Sequence, residues 1–152
     1  MITREHVLEA QKLWGDGVVK IGSLKQSRTE CEEYASNFLD NRYAFEQGDV
    51  LFKPTKCELE QFRPTKSEAL SYFIAGDDRE CQEDNGFALS NWTEILFDNS
   101  NIIINEDIAI AMGNYTFKNE ASKIKVEYSF VYKNYGNEIK IILHHSSLPY
   151  KI

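Results

Sequence analysis

The sequence predicts an α+β fold in which a long, curved antiparallel sheet wraps around N-terminal helices, making a cone with a pocket open at one end. Three observations predict it. Up to about residue 50 the apolar residues recur every three or four positions, and from Trp92 onward they alternate. The period changes once, and no repeat or low-complexity linker divides the chain. A length of 152 residues, with 42% hydrophobic and 12% aromatic content, suffices for one domain (residues 1–152) with a substantial core.

Thr3 is placed to cap a first helix along which Val7, Ala10, Trp14, Val18 and Ile21 share a face; Gly15 and Gly17 weaken its middle, and Gly22-Ser23 closes it. A second helix opens at Thr29, carries Tyr34, Phe38 and Arg42 on related faces, and ends near Gly48. A short strand, 50–53, follows. Residues 54–91 are polar and punctuated, as functional and ordinary loops both are. Within them Thr65 and Glu68 form the capping-box pattern of a short helix that carries Tyr72. Thr55 has no such structural duty: it follows a proline at the end of an apolar strand, where a fixed backbone presents a hydroxyl towards a cavity. The acidic run Asp77, Asp78, Glu80, Glu83 and Asp84 lacks the spacing of a calcium-binding loop and reads as solvated.

Four strands are then expected at 92–97, 108–117, 125–133 and 138–147, separated by turn signals. In the third, Val126, Tyr128, Phe130 and Tyr132 face the core or cavity. The fourth passes from an apolar run into His144-His-Ser-Ser147, which holds two of the three histidines of the chain. Strict alternation puts Ile141, Leu143, His145 and Ser147 on one face, and Lys140, Ile142, His144 and Ser146 on the other. Because a lysine is not buried without a partner, the even-numbered face is assigned outwards, leaving His145 and Ser147 inside with Tyr128. A core histidine satisfied by its neighbours and a functional imidazole both fit that placing.

The formal charge of -7 and the absence of a Lys/Arg cluster exclude a general nucleic-acid surface. No apolar run approaches the roughly 18 residues of a membrane span, and the first residues lack the basic-then-apolar layout of a signal peptide. A cytoplasmic protein is expected. Cys31, Cys57 and Cys81 are scattered without CxxC spacing and read as free thiols.

Taken together, Tyr43-Ala-Phe-Glu46, Val50-Leu-Phe-Lys-Pro-Thr-Lys56, Phe62-Arg-Pro-Thr-Lys66, Ala69-Leu-Ser-Tyr-Phe73, Ala111-Met-Gly-Asn-Tyr115, Val126-Glu-Tyr-Ser-Phe130 and His144-His-Ser-Ser-Leu-Pro-Tyr150 resemble the iota-class carbonic anhydrases of algae and bacteria. The resemblance covers residues 43–150, and the closing HHSSLPY is its most specific part. It implies a cone-shaped fold similar to the association domain of calcium/calmodulin-dependent kinase, within the nuclear-transport-factor-two-like superfamily. It also implies reversible hydration of carbon dioxide to bicarbonate and a proton. On this resemblance Thr55, Tyr72, His145 and Ser147 match positions associated with the active site. Thr65 stands in a similar context, and its capping pattern is the reason for preferring Thr55.

Hydration needs a nucleophilic water, a place for an uncharged linear substrate, and donors for the oxygen that becomes negative. Hydroxyls of Thr55, Tyr72 and Ser147 would supply donors beside Tyr128, with Leu143, Phe130 and Met112 as an apolar wall. The imidazole of His145 would relay the proton. A catalytic zinc takes three converging protein ligands. Adjacent His144 and His145 point to opposite faces and His6 belongs to the first helix, so no metal cofactor is expected, zinc or manganese being the alternative. The expected partners are carbon dioxide and bicarbonate, with a second copy in a homodimer formed through outer-face residues such as Ile142. The rival reading is a non-catalytic oligomerisation or ligand-binding module of the same fold.

Overall fold

A computed structural model describes all 152 residues, Met1–Ile152. Helix α1, Arg4–Ser23, opens at Thr3, whose hydroxyl accepts the His6 backbone N–H, while the Thr3 N–H donates to His6 Nδ1. Its buried side carries Val7, Ala10, Trp14, Val18 and Ile21, the face that the spacing predicts. Gly17 looks like a weak point until the second helix is in place. A Cβ there would lie 2.5 Å from Phe38 Cδ2, so the glycine lets Phe38 of α2 (Arg28–Arg42) lie against α1. Helix α2 stops short of Gly48 because Tyr43 turns into extended backbone and bridges Ile141 in parallel.

Strand β1 (Leu51–Lys53), helix α3 (Lys66–Ile74) and a single 3₁₀ turn at Phe87–Leu89 lead into β2 (Glu94–Asn105), β3 (Ile108–Lys118), β4 (Lys123–Asn134) and β5 (Ile139–Ser147). They form one five-stranded sheet in the order β1-β5-β4-β3-β2, antiparallel except where β1 lies parallel to β5. Strand β2 runs beyond residue 97, the limit expected from sequence. Its polar stretch Asp98-Asn-Ser-Asn101 hides the strand, and a bulge between Asn99 and Asn101 breaks its alternation. Gly113 of β3 sits opposite that bulge, where a side chain would strike the Asp98 backbone.

A second bulge decides the position of the site. Val131 pairs with Leu143 and Tyr132 with Ile141, which leaves Ile142 as the unpaired extra residue of β5. Such a residue reverses the parity of everything after it. Ile141 therefore points inwards as expected, but the next inward residues are His144 and Ser146, 2% and 1% exposed. The interior placing of His145 and Ser147 is overturned: His145 is exposed and Ser147 half-buried on the outer side. Lys140, the residue that set the assignment, is itself buried. Its Nζ donates to the Asp40 carbonyl at 2.8 Å in the last turn of α2, with the Glu138 carboxylate 3.4 Å away.

Candidate active site

On the inner side of the sheet lies a cavity of about 10 Å³, the room of one water molecule. Its polar lining is Thr55, Tyr72, Tyr115, His144 and Ser146, and its apolar wall is Trp14, Phe52, Pro54, Phe73, Phe87 and Phe117.

The polar groups come from four places: the end of β1, α3, β3 and, for both His144 and Ser146, β5. Thr55 leaves the end of β1 through Pro54, and Lys53 ties that end to β5 by donating from Nζ to the Ser146 carbonyl at 3.0 Å. Thr55 Oγ1 and Ser146 Oγ then share a hydrogen bond of 2.6 Å. Tyr72 stands on α3, and Thr65 is the cap of that helix, its hydroxyl accepting the Glu68 N–H at 3.2 Å. Of the two threonines, Thr55 is thus the one at the cavity. The Lys56 N–H donates to Tyr72 Oη at 3.2 Å.

The loops around Tyr72 are held from below. Arg63, fully buried, lies 5.9 Å from the Tyr72 ring centre and donates two 2.8 Å hydrogen bonds to Asp84, which also accepts from Ser71 Oγ at 2.6 Å. Burial lowers the guanidinium pKa, but the Asp84 carboxylate more than offsets it, so that the net shift is upward. Glu83 accepts the backbone N–H groups of Glu58, Leu59 and Glu60 at 2.6, 2.9 and 2.7 Å, which lowers its pKa. The acidic run is therefore not merely solvated: two of its members clasp the segment that carries Thr55.

His144 is fixed on every side. Its ring stacks between Phe52 and Phe130, with centroids 4.9 and 4.1 Å away. Nδ1 lies 2.8 Å from Tyr43 Oη, and Nε2 3.0 Å from Tyr115 Oη. Tyr43 Oη accepts the indole N–H of Trp14 at 3.0 Å, and the Tyr115 hydroxyl donates to Ser146 Oγ at 2.6 Å. Burial, aided by the neighbouring His145, holds the His144 pKa well below the usual imidazole value, so the ring is neutral. Burial likewise raises the phenols of Tyr43, Tyr72 and Tyr115. The lining carries no charge at neutral pH.

Thr55 and Tyr72 thus stand where the sequence places them, whereas the other expected residues stand elsewhere. His145 pairs with Ser129 and Lys53 on the outer face, and Ser147 Oγ donates to Glu127 at 3.0 Å. Tyr128 is inside but outside the cavity lining, its hydroxyl donating to Asn99 Oδ1 at 2.6 Å. Phe130 packs behind His144, while Met112 is exposed and Leu143 half-buried on the outer face. The residues that sequence reasoning missed are Trp14, Tyr43, Tyr115, His144 and Ser146. Tyr115 was within reach of the alternation Ala109, Ala111, Tyr115, Phe117 along β3. The bulge was not, since Ile141-Ile-Leu143 is apolar throughout and shows no parity.

Nowhere in the chain do three His, Cys, Asp or Glu side chains converge as metal ligands would. A family model described as "Metal-independent carbonic anhydrase" matches residues 5–148. A curated relative of that name from Nostoc sp. (strain PCC 7120) is 37% identical over 156 residues, covering 99% of this chain and 75% of its own length. Among solved structures, the iota-carbonic anhydrase from a cyanobacterium, complexed with bicarbonate, superposes with a TM-score of 0.94 at 35% identity, over 99% of this chain and 94% of that one. A calcium/calmodulin-dependent protein kinase II association domain from Xanthomonas campestris shares the fold alone, with a TM-score of 0.70 at 16% identity over 100% and 91% of the two chains. The chain therefore belongs to the metal-independent carbonic anhydrase family, an α+β enzyme that hydrates carbon dioxide reversibly to bicarbonate without a metal cofactor.

Proposed function

We propose that hydration takes place in the cavity bounded by Thr55, Tyr72 and Ser146, with His144 rather than His145 as its imidazole. One observation carries this reading: three hydroxyls from three separate elements converge on a space the size of one water. Thr55 and Ser146 hold two hydroxyl protons and use one between themselves, which leaves one for the cavity. Tyr72, already accepting the Lys56 N–H, has its own proton to give. The cavity seats the attacking water, and carbon dioxide meets it from the side of the half-buried Thr55; two donors then face the oxygens of carbon dioxide as charge develops on them, while the water oxygen bonds to carbon. The proton that the water loses finds no ready base in the lining, because the phenols are held protonated and the imidazole pKa is depressed. It leaves on solvent or buffer. The relative solved with bicarbonate, so similar in fold, supports an anion product in this space. Thr55→Val keeps the shape and removes the hydroxyl. Stopped-flow hydration is expected to fall by about 10²-fold, as when one oxyanion donor is lost, and an unchanged rate would remove Thr55 from the reaction.

The homodimer is a proposal that rests on the outer face. Ile103, Ile110, Val131, Leu143 and Leu51 stand in register across all five strands, and Ile103, Ile110 and Leu51 are exposed. Such a row suits a second copy. Sedimentation of Ile110→Asp as a monomer would support it, and an undisturbed parent monomer would refute it. One core cluster of 30 buried residues supports a single domain over 1–152. No helix is long and apolar enough to cross a membrane. The free thiols Cys31, Cys57 and Cys81 favour the cytoplasm, which keeps thiols reduced.

A further inference from the structure

We infer that Trp14 and Tyr43, whose indole N–H and phenol hydroxyl meet on the Nδ1 side of His144, are positioning residues of the reaction: they hold His144 in its Nε2–H tautomer and so point the hydroxyl protons of Tyr115, Ser146 and Thr55 towards the cavity. The inference rests on the cavity reading above and assigns the direction of its hydrogen bonds.

The direction follows from counting protons at both ends of the chain. An indole N–H only donates. Trp14 Nε1–H points at Tyr43 Oη at 3.0 Å, so that oxygen spends a lone pair on Trp14. Its own proton then faces its other partner, His144 Nδ1, 2.8 Å away. A neutral imidazole that accepts at Nδ1 carries its proton on Nε2. The cavity end agrees independently. The Tyr115 hydroxyl donates its one proton to Ser146 Oγ at 2.6 Å, so at its 3.0 Å contact with His144 Nε2 it accepts. Ser146 and Thr55 in turn use one proton between their two oxygens, and the other hydroxyl proton of that pair is left for the cavity.

Reversing the chain would put a proton on Nδ1, leave the Tyr43 hydroxyl proton without an acceptor and deny Tyr115 its donor, all within a fully buried cluster. The stacking of His144 between Phe52 and Phe130 prevents the ring from flipping to escape that cost. His144 is therefore a fixed donor to Tyr115 rather than a shuttle, and the chain ends blind at Trp14.

Nitrogen NMR of protein labelled with ¹⁵N-histidine reads the tautomer without any turnover, so its outcome stands apart from whether Thr55→Val lowers the rate. With His6→Gln and His145→Gln identifying the third ring, His144 is expected to stay neutral with its proton on Nε2 from about pH 6 to pH 9. A proton on Nδ1, or a ring that charges in that range, would overturn the inference. Tyr43→Phe is nearly isosteric. It is expected to move the Nδ1 resonance to that of an unbonded ring nitrogen and to lower kcat about fivefold to tenfold, the net worth of one hydrogen bond, with KM within about twofold. Trp14→Phe, which removes the donor and keeps an aromatic ring, is expected to act in the same sense. An unmoved Nδ1 resonance together with an unchanged kcat in Tyr43→Phe would refute the positioning role.

Discussion

His144 and His145 are neighbours in sequence and opposites in environment. The first is buried between two phenylalanine rings with a partner on each nitrogen, whereas the second stands exposed beside Ser129 and Lys53. Ser146 and Ser147 repeat the contrast, one joined to Tyr115 and Thr55 and the other to Glu127. The acidic loop shows it again, with Asp84 on Arg63 and Asp77 in solvent. The lesson is that residue type does not make a site. What separates each pair is whether its partners close into a satisfied network away from water, where a hydrogen bond is strong and an unmade one costly.

The contrast can be tested from its largest effect downwards. Asp84→Ala leaves the Arg63 charge buried and unpaired, and is expected to cost about 3–5 kcal/mol in urea denaturation, against about 0.5 kcal/mol or less for Asp77→Ala. Equal losses would abolish the distinction in that loop. Ser146→Ala is expected to reduce kcat/KM for hydration by about 10²-fold, and Ser147→Ala to leave it within about twofold. A comparable loss in Ser147→Ala would return the outer face to the mechanism.

Stability against pH sharpens the comparison of the two histidines. The folded chain keeps His144 neutral where the unfolded chain, with an imidazole pKa of 6.5, takes up a proton. Its contribution is therefore full above about pH 6.5 and is lost as the pH falls below that value, by at most about 1.4 kcal/mol per pH unit. Denaturation midpoints between about pH 6.5 and pH 5 should show this slope in His145→Gln and lose it in His144→Gln. If the slope followed His145 instead, the assignment of faces would be wrong.

Much of this is legible in the sequence. The three-and-four spacing of Val7, Ala10, Trp14, Val18 and Ile21 is the buried face of α1, Thr65 caps α3, and Thr55 and Tyr72 reach the cavity. The motifs from Tyr43 to Tyr150 carry the family. Besides the cavity roles given to Tyr128 and Met112 and the solvated reading of Glu83 and Asp84, what failed was a single step of parity at Ile142, together with the end of α2 and the length of β2. At all three places tertiary pairing overrides the local pattern: Tyr43 is drawn out of the helix to meet Ile141, and polar residues 98–101 are held in the sheet by β3.

By itself, then, the sequence determined the order of helices and strands, the family, and a hydroxyl-rich chemistry with an imidazole in it, because those properties are written in residue type and spacing. Only the tertiary structure decided which histidine and which serine face the cavity. The unpaired Ile142 costs no local signal, since both its neighbours are apolar, yet one extra residue turns every later side chain of β5 over. The identity of the partners behind His144 was decided the same way, because Trp14, Tyr43 and Tyr115 lie on three elements that meet only when the sheet closes around the helices.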